Sequence, residues 1–178
     1  GSTNTVLLGG AGNDRMSADL HSSGSVFEGG TGDDLASGSG FRDTYRFGLG
    51  DGQDWITEVE VNPLAGRNDT LVFGPGIAPA DIGVQRNNND LIFAHANGTD
   101  QVTVGNWFAS TPTFSASARQ IEEIRFADGT VWSAPALTAA ALVVRGTTAN
   151  DFLTSSDMDD SMYGLGGNDR LSGGRGHN

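Results

Sequence analysis

A glycine-rich hexapeptide that ends in aspartate recurs at a fixed interval in the first third of the chain. Three copies end at Asp14, Asp34 and Asp54, so that an aspartate returns at every twentieth position. Self-similarity at a fixed period is typical of a chain that winds into stacked coils. A weaker series with the same spacing, Ser23 and Asp43, lies between the strong copies and predicts a second turn in each coil.

A shorter period governs the C-terminal part of the sequence. Asp151, Asp160 and Asp169 recur at every ninth position, and an apolar residue follows two places after each of them. Asn178 falls at the next aspartate position, where it keeps an oxygen but loses a charge. Two such units make one coil of about 18 residues, so we expect Asp151 and Asp169 to stack on one edge and Asp160 and Asn178 on the other.

The charge balance limits the partners of such a chain. Its 178 residues include 27 Gly and no Cys, and 22 acidic against 10 basic side chains give a net charge of −12. This balance argues against nucleic acid and anionic membranes as partners and favours cations. The absence of Cys excludes disulfides, thiolate metal sites and a cysteine nucleophile. The opening Gly1-Ser2 resembles an expression scar and the last repeat is incomplete, so we expect a piece of a longer protein.

Stacked aspartates require a counterion between the coils. Parallel strands lie roughly 4.8 Å apart, and calcium–oxygen distances are about 2.3–2.6 Å, so that one Ca²⁺ midway between two coils contacts a carboxylate from each. Without the ion, carboxylates about 5 Å apart would repel by around 3 kcal/mol per pair at an effective dielectric near 20. Glycines allow positive φ and turn carbonyl oxygens toward the metal. We expect Mg²⁺ to substitute poorly, because it demands octahedral geometry and holds its waters. The alternative is a set of ordinary Asp-Gly hairpin turns without an ion, which a fixed period makes less favoured.

These units match the pattern G-G-x-G-x-D-x-U-x and resemble the nonapeptide repeats of the RTX, or haemolysin-type, family. The resemblance is loose over residues 9–58 and close over residues 146–178. It implies a parallel β-roll in which the first six residues of each repeat form a calcium turn and the last three form a short strand. The metal-site positions expected from the repeats are Gly10, Gly12, Asp14, Gly30, Gly32, Asp34, Asp43, Gly50, Gly52, Asp54, Asp151, Asp160, Gly167 and Asp169.

The central segment has a different pattern. From about Trp55 to Trp132, aromatic and β-branched residues are more frequent and the glycine period disappears. Short alternating runs predict strands, and Asp128-Gly129 predicts a hairpin turn between two of them. The Ala-rich stretch Ala134–Val143 is the plausible helix. The expected fold class is therefore all-β, with parallel β-roll coils at residues 3–60, a compact and mostly antiparallel β unit at 61–145, and further coils at 146–178.

The central segment resembles the haemolysin-type calcium-binding-related domain. The resemblance runs from Gly50–Asp54 through Asp69-Thr70-Leu71 and Trp107-Phe108 to Ile121–Thr130. The resemblance implies no activity. A stack of coils leaves apolar ends that need a cover, so we expect this unit to act as a cap whose core contains Trp55, Phe73, Trp107, Phe126 and Trp132. The alternative is that these aromatics line a groove for a sugar or a peptide.

No catalytic constellation emerges from the sequence. There is no G-x-S-x-G motif and no EF-hand loop, and the three histidines are scattered without a second ligand at zinc spacing. Glu122 and Glu123 are adjacent on a predicted strand and therefore point to opposite faces, which argues against a catalytic pair. We expect a non-enzymatic module.

The expected function is calcium binding coupled to folding. A Gly-rich, acidic chain buries too little without calcium to offset its conformational entropy. The family resemblance implies a bacterial protein that leaves the cell by type I secretion and folds outside it. The expected partners are calcium ions, neighbouring domains of the parent protein or a cell-surface ligand, and the expected state is a monomer. Two alternatives remain open: an adhesin-type ligand-binding module with calcium-stiffened coils as spacers, and the C-terminal part of a secreted hydrolase or toxin.

Overall fold

The N-terminal repeats fold into two parallel sheets. The computed structural model describes residues 5–19, 22, 24–58, 68–109, 116–155 and 160–173. The chain divides into two compact units, Gly1–Ala134 and Pro135–Asn178.

The first unit contains twelve strands among its described residues. They are β1 (Thr5–Ala11), β2 (Arg15–Ser17), β3 (Ser25–Thr31), β4 (Leu35–Ser37), β5 (Thr44–Phe47), β6 (Gln53–Thr57), β7 (Thr70–Phe73), β8 (Ile82–Asn87), β9 (Asp90–His95), β10 (Gln101–Gly105), β11 (Glu123–Arg125) and β12 (Val131–Ser133). The strand orders of its two sheets are β1-β3-β5-β7-β11-β12 and β2-β4-β6-β10-β9-β8.

The registers of the parallel strands agree with the sequence periods. Thr5 of β1 pairs with Ser25 of β3, and Arg15 of β2 pairs with Leu35 of β4, so that both pairings have the spacing of the repeated aspartates. The offset of the next pair on the first sheet, β3 and β5, is slightly shorter, with Val26 opposite Thr44. The chain therefore adds one strand to each sheet in every coil.

The same two sheets continue into the central segment. On the first sheet, β5 pairs with β7 and β7 with β11, while β6 pairs with β10 on the second, and all three pairings are parallel. The antiparallel part consists of β10-β9-β8 and of the hairpin β11–β12. The hairpin turns at Gly129, which has a φ of 89°, as Asp128-Gly129 predicts. The all-β fold class with parallel sheets in the repeats is confirmed.

The core of the first unit lies between the two sheets. Within the coils, Phe27 stacks on Tyr45 with ring centroids 4.9 Å apart. Toward the central segment, Phe73 packs against Phe93 and Phe126 at 6.1 and 5.2 Å. Each buried aromatic of this kind contributes roughly 1.5–3 kcal/mol by removal from water. Large buried side chains therefore fill the space between the sheets both within the coils and in the central segment.

One aromatic expected in this core lies outside it. The Trp55 side chain is 42% exposed, whereas Trp107, Phe73 and Phe126 are buried. Trp55 projects from the outer face of β6, and its indole lies over Gly105 of the neighbouring strand, where a Cβ would come within 2.7 Å of Nε1. The prediction that Trp55 is a core residue is wrong, because alternation along β6 places Ile56 inward instead.

The second unit repeats the coil architecture on a smaller scale. Helix α1 (Ala134–Ala141) has Pro135 in its first turn, which suits a helix start. It leads into β13 (Val143–Arg145), β14 (Phe152–Thr154), β15 (Ser161–Tyr163) and β16 (Arg170–Ser172). In the parallel pairs β13–β15 and β14–β16, Val143 lies opposite Ser161 and Phe152 opposite Arg170, so both offsets equal the length of two nonapeptides. Among the described residues, no helix is long and apolar enough to span a membrane.

Candidate metal centres

The first candidate centre is a column of aspartates on one edge of the N-terminal coils. Asp14 and Asp34 directly precede β2 and β4 of the second sheet, and Asp54 is the second residue of β6. The Asp14 backbone N–H donates to Oδ1 of Asp34 at 2.7 Å, and the Asp34 N–H donates to Oδ1 of Asp54 at 3.0 Å. The structure therefore brings these three predicted site residues together, and each hydrogen bond uses only one carboxylate oxygen.

Two further oxygens of this column lack partners. Oδ2 of Asp14 and Oδ2 of Asp34 are buried and have no hydrogen-bond partner among the residues that the structure describes. Asp34 as a whole is only 3% exposed. A buried carboxylate oxygen without a partner is costly, since it has lost its water and gained nothing in return. A bound cation removes that cost, so the donor set fits a metal.

A backbone carbonyl converges on the same place. A Cβ built on Gly9 would lie 2.6 Å from both Oδ2 of Asp14 and the carbonyl oxygen of Gly29. These two oxygens are therefore close enough to share one Ca²⁺. The turn also depends on Gly30, whose φ is 88° and whose Cβ would collide with the carbonyl oxygen of Gly10 in the preceding coil. Carboxylate and carbonyl oxygens are the hard ligands that calcium prefers.

Asp54, in the third coil, adds a further carboxyl group to this column. Burial raises the pKa of Asp54 to about 7, and the charges of Asp34, Asp51 and Asp33 add to the increase. The predicted positions Gly50 and Gly52 have φ of 90° and 100°. The Gly50 N–H donates to Oδ2 of Asp100 at 2.7 Å. Asp100 comes to this turn from a distant part of the sequence, and the repeat spacing does not single it out.

The opposite edge carries a second column, which includes Asp43. The Ser25 N–H donates to Oδ1 of Asp43 at 2.7 Å, the Asp43 N–H donates to Oδ1 of Asp69 at 2.8 Å, and the Asp69 N–H donates to Oε2 of Glu122 at 2.7 Å. Ser23, the expected neighbour of Asp43, lies outside the described residues, and Ser25 takes the adjacent rung. Sequence reasoning missed Asp69 and Glu122 as members of this column.

The turns are of two kinds, which differ in the residue four places before the aspartate. Where this residue is Gly10 or Gly30, Oδ2 of the aspartate has no partner among the described residues. Where it is Ser39 or Thr147, its N–H and hydroxyl donate to the aspartate carboxylate, at 2.6 and 3.0 Å for Thr147 and Oδ2 of Asp151. The hydroxyl turns therefore add two protein donors to the aspartate carboxylate, whereas in the glycine turns Oδ2 has none among the described residues.

The second unit has its own, shorter column. The Asp151 N–H donates to Oδ1 of Asp169 at 3.0 Å, which places the two on one edge as the repeat length predicts. Gly167, with φ of 104°, lies in the same turn as Asp169. Asp160 is buried. Its expected neighbour Asn178 lies outside the described residues.

Comparison with known proteins agrees with this geometry. Residues 1–20 and 145–178 match the model of the RTX calcium-binding nonapeptide repeat (4 copies). Residues 90–135 match the haemolysin-type calcium binding protein related domain. The chain is 31% identical over 121 residues to the iron-regulated protein FrpA of Neisseria meningitidis serogroup C, an alignment that covers 68% of this chain. It spans only 10% of the length of that relative.

Proposed function

We propose that this chain is a non-catalytic module that folds when calcium binds. It carries RTX calcium-binding repeats at both ends and a haemolysin-type calcium-binding-related domain between them. The observation that carries the proposal is the pair of buried Oδ2 atoms on Asp14 and Asp34, which have no hydrogen-bond partner within the described part of the chain. Ca²⁺ bound there supplies the positive charge that these oxygens require.

Electrostatics couples the ion to the fold. The aspartates of one column lie on consecutive rungs, in a chain whose net charge is −12. In the unfolded chain the carboxylates are far apart and hydrated, so folding without calcium concentrates like charges and dehydrates them. The binding sites exist only in the folded chain, so the free energy of calcium binding becomes free energy of folding.

We place this module in a larger bacterial protein that works outside the cell. The much greater length of the matched relative supports a multi-domain parent. A module that folds only at the calcium concentrations found outside cells stays unfolded in the cytosol, which suits type I secretion. We expect affinities of about 10⁻⁴–10⁻³ M, as in other extracellular calcium modules. In this proposal, other domains of the parent protein carry its activity as an adhesin, toxin or hydrolase.

Circular dichroism with two matched variants tests the proposal. The far-UV spectrum of chelator-treated protein should change from coil-like to β on addition of Ca²⁺ but not of Mg²⁺. Asp34→Asn should shift the transition to higher calcium, because it removes a charge from an oxygen without a partner. Asp33→Asn is the control, since it removes the same charge one residue away and places there the residue that Asn13 provides in the preceding coil. A β spectrum that is unchanged by chelator, or equal shifts for the two variants, would contradict the proposal.

A further inference from the structure

A second group of acids lies inside the N-terminal coils, away from the glycine turns. One carboxylate oxygen from each of Asp43, Glu58 and Asp69 lies within 4.8 Å of the others. The three residues are 1%, 1% and 0% exposed. All three lie outside the segments that match the two family models.

The group assembles from both sheets of the roll. Asp43 and Asp69 precede β5 and β7 on consecutive rungs of the first sheet, whereas Glu58 directly follows β6 of the second. Tyr45 donates its hydroxyl hydrogen to Oε1 of Glu58 at 2.5 Å. A side chain at Gly38 would collide with both the Tyr45 hydroxyl and the Glu58 carboxylate. Glycine at position 38 therefore lets Glu58 reach the other two acids.

The surroundings leave room for a ligand on Asp43. Its carboxylate accepts from the Ser25 N–H, the Ser39 N–H and the Ser39 hydroxyl. These are three donors for about four lone-pair positions. The three carboxylates lie within 4.8 Å of one another and are almost fully buried, so a cation among them would offset their mutual repulsion.

An independent observation comes from Ser25. This residue is 2% exposed, and its Oγ has no hydrogen-bond partner among the described residues. Ser25 lies on the inward side of β3, as does Phe27, which stacks on Tyr45. Its N–H is 2.7 Å from Oδ1 of Asp43. The Oγ is therefore a neutral oxygen without a partner on the rung next to the acids, facing the same interior.

We propose that Asp43, Glu58 and Asp69, together with the Ser25 hydroxyl, bind one Ca²⁺ ion in the interior of the roll, separate from the ions of the glycine turns. Two oxygens on opposite sides of a calcium ion are about 4.6–5.2 Å apart, so oxygens within 4.8 Å of one another can share one ion. The donors are all oxygen, which excludes the softer metals that require nitrogen or sulfur.

Ion counting tests the proposal. Native mass spectrometry in calcium should find one ion fewer bound to Glu58→Gln than to the natural chain. Glu28→Gln is the control, because Glu28 lies on the outer face of β3 with a half-exposed carboxylate, and it should keep the full number. Crystals of the natural chain grown in calcium should give an anomalous difference peak among the three carboxylates, a readout that needs no variant to fold. Absence of that peak, or an unchanged ion count in Glu58→Gln, would overturn the proposal.

Counting the ions bound to Asp34→Asn in the same way distinguishes failure of the interior site from failure of the proposed function. If Asp34→Asn loses an ion and Glu58→Gln does not, the glycine turns bind calcium and the interior site is wrong. If Glu58→Gln loses an ion and Asp34→Asn does not, the interior site holds and the turn sites fail. If no ion binds to the natural chain, both proposals are wrong.

Discussion

The backbone N–H of Asp14 donates to Oδ1 of Asp34, one full coil later in the chain, at 2.7 Å. The bond joins two coils and fixes the orientation of the Asp34 carboxylate, so that Oδ1 supports the stack while Oδ2 has no hydrogen-bond partner among the described residues. In the proposed function, Asp34 thus has one oxygen that supports the stack and one that binds the ion. Substitution by Asn keeps an oxygen acceptor but removes the charge, which allows the two roles to be tested separately.

Protonation should partly replace calcium at Asp54. Its pKa rises from the ordinary 3.8 to about 7 in the folded chain, mainly because the carboxyl is buried. Between these two values the folded state binds a proton that the unfolded state releases, so folding without calcium weakens as the pH rises from about 4 to 7. In chelator, the β signal in circular dichroism should therefore increase as the pH falls from 8 toward 5.

The variant Asp54→Asn provides the control for this pH dependence. It carries no titrating group at position 54, so its β signal should change less over the same range. An equal response of the two proteins would place the pH sensitivity elsewhere.

Gly30→Ala should destabilise the calcium-loaded protein by at least about 2 kcal/mol. Residue 30 has φ of 88°, and the new Cβ would collide with the Gly10 carbonyl oxygen of the preceding coil. Gly98→Ala is the control, since its φ is 77° but its Cβ would meet open space, which leaves a conformational cost of about 1 kcal/mol. Thermal unfolding in saturating calcium measures both. Equal losses would mean that the coils do not approach closely at Gly30.

Phe73→Ala should abolish or strongly weaken folding even in saturating calcium. Phe73 packs against Phe47, Phe93 and Phe126 in the core of the cap, and truncation of such a residue costs about 3–5 kcal/mol. Denaturant unfolding measures the loss. Phe41→Ala, at a partly exposed turn position, should cost much less. If the two variants lose the same stability, the cap core does not support the coils.

Thr147→Val should loosen the first turn of the C-terminal coils. It removes the hydroxyl that donates to Asp151, a loss of about 1 kcal/mol, which corresponds to roughly fivefold faster amide exchange in that turn. Hydrogen exchange in saturating calcium, read over residues 147–155, measures the change. Thr148→Val, at the adjacent threonine, should leave the exchange nearly unaltered, and the same increase in both variants would argue against the hydroxyl.

The sequence predicts the coils well because the same hydrogen bonds recur in successive coils, at the spacing of the repeated aspartates. The spacing of Asp14, Asp34 and Asp54 equals the strand offset on the second sheet, so a period in the residues becomes a column in space. Asp43 carries only the weaker form of this signal, and Asp69 and Glu58 carry none. The offset from β5 to β7 is longer than a coil of the repeats, with Thr44 opposite Thr70, which breaks the period and conceals Asp69.

Glu58 was missed for a different reason. It reaches Asp43 and Asp69 across the interior of the roll, and contacts of that kind depend on how the sheets pack. The exposure of Trp55 was likewise not predictable from the sequence, because β6 is too short for its alternation to reveal which face is buried. Local patterns therefore predict the edges of the roll, while its interior depends on contacts distant in sequence.

The two sheets run without interruption from the cap into the N-terminal repeats, and this continuity gives the folding reaction a direction. Strands β7 and β10 offer ready edges onto which β5 and β6 can pair, so the innermost coil has a template that an isolated repeat lacks. Each added coil then becomes the template for the next, as in a one-dimensional zipper governed by nearest neighbours. We therefore expect growth to begin at the cap and to proceed outward, with β1 the last strand to join and the first to fray.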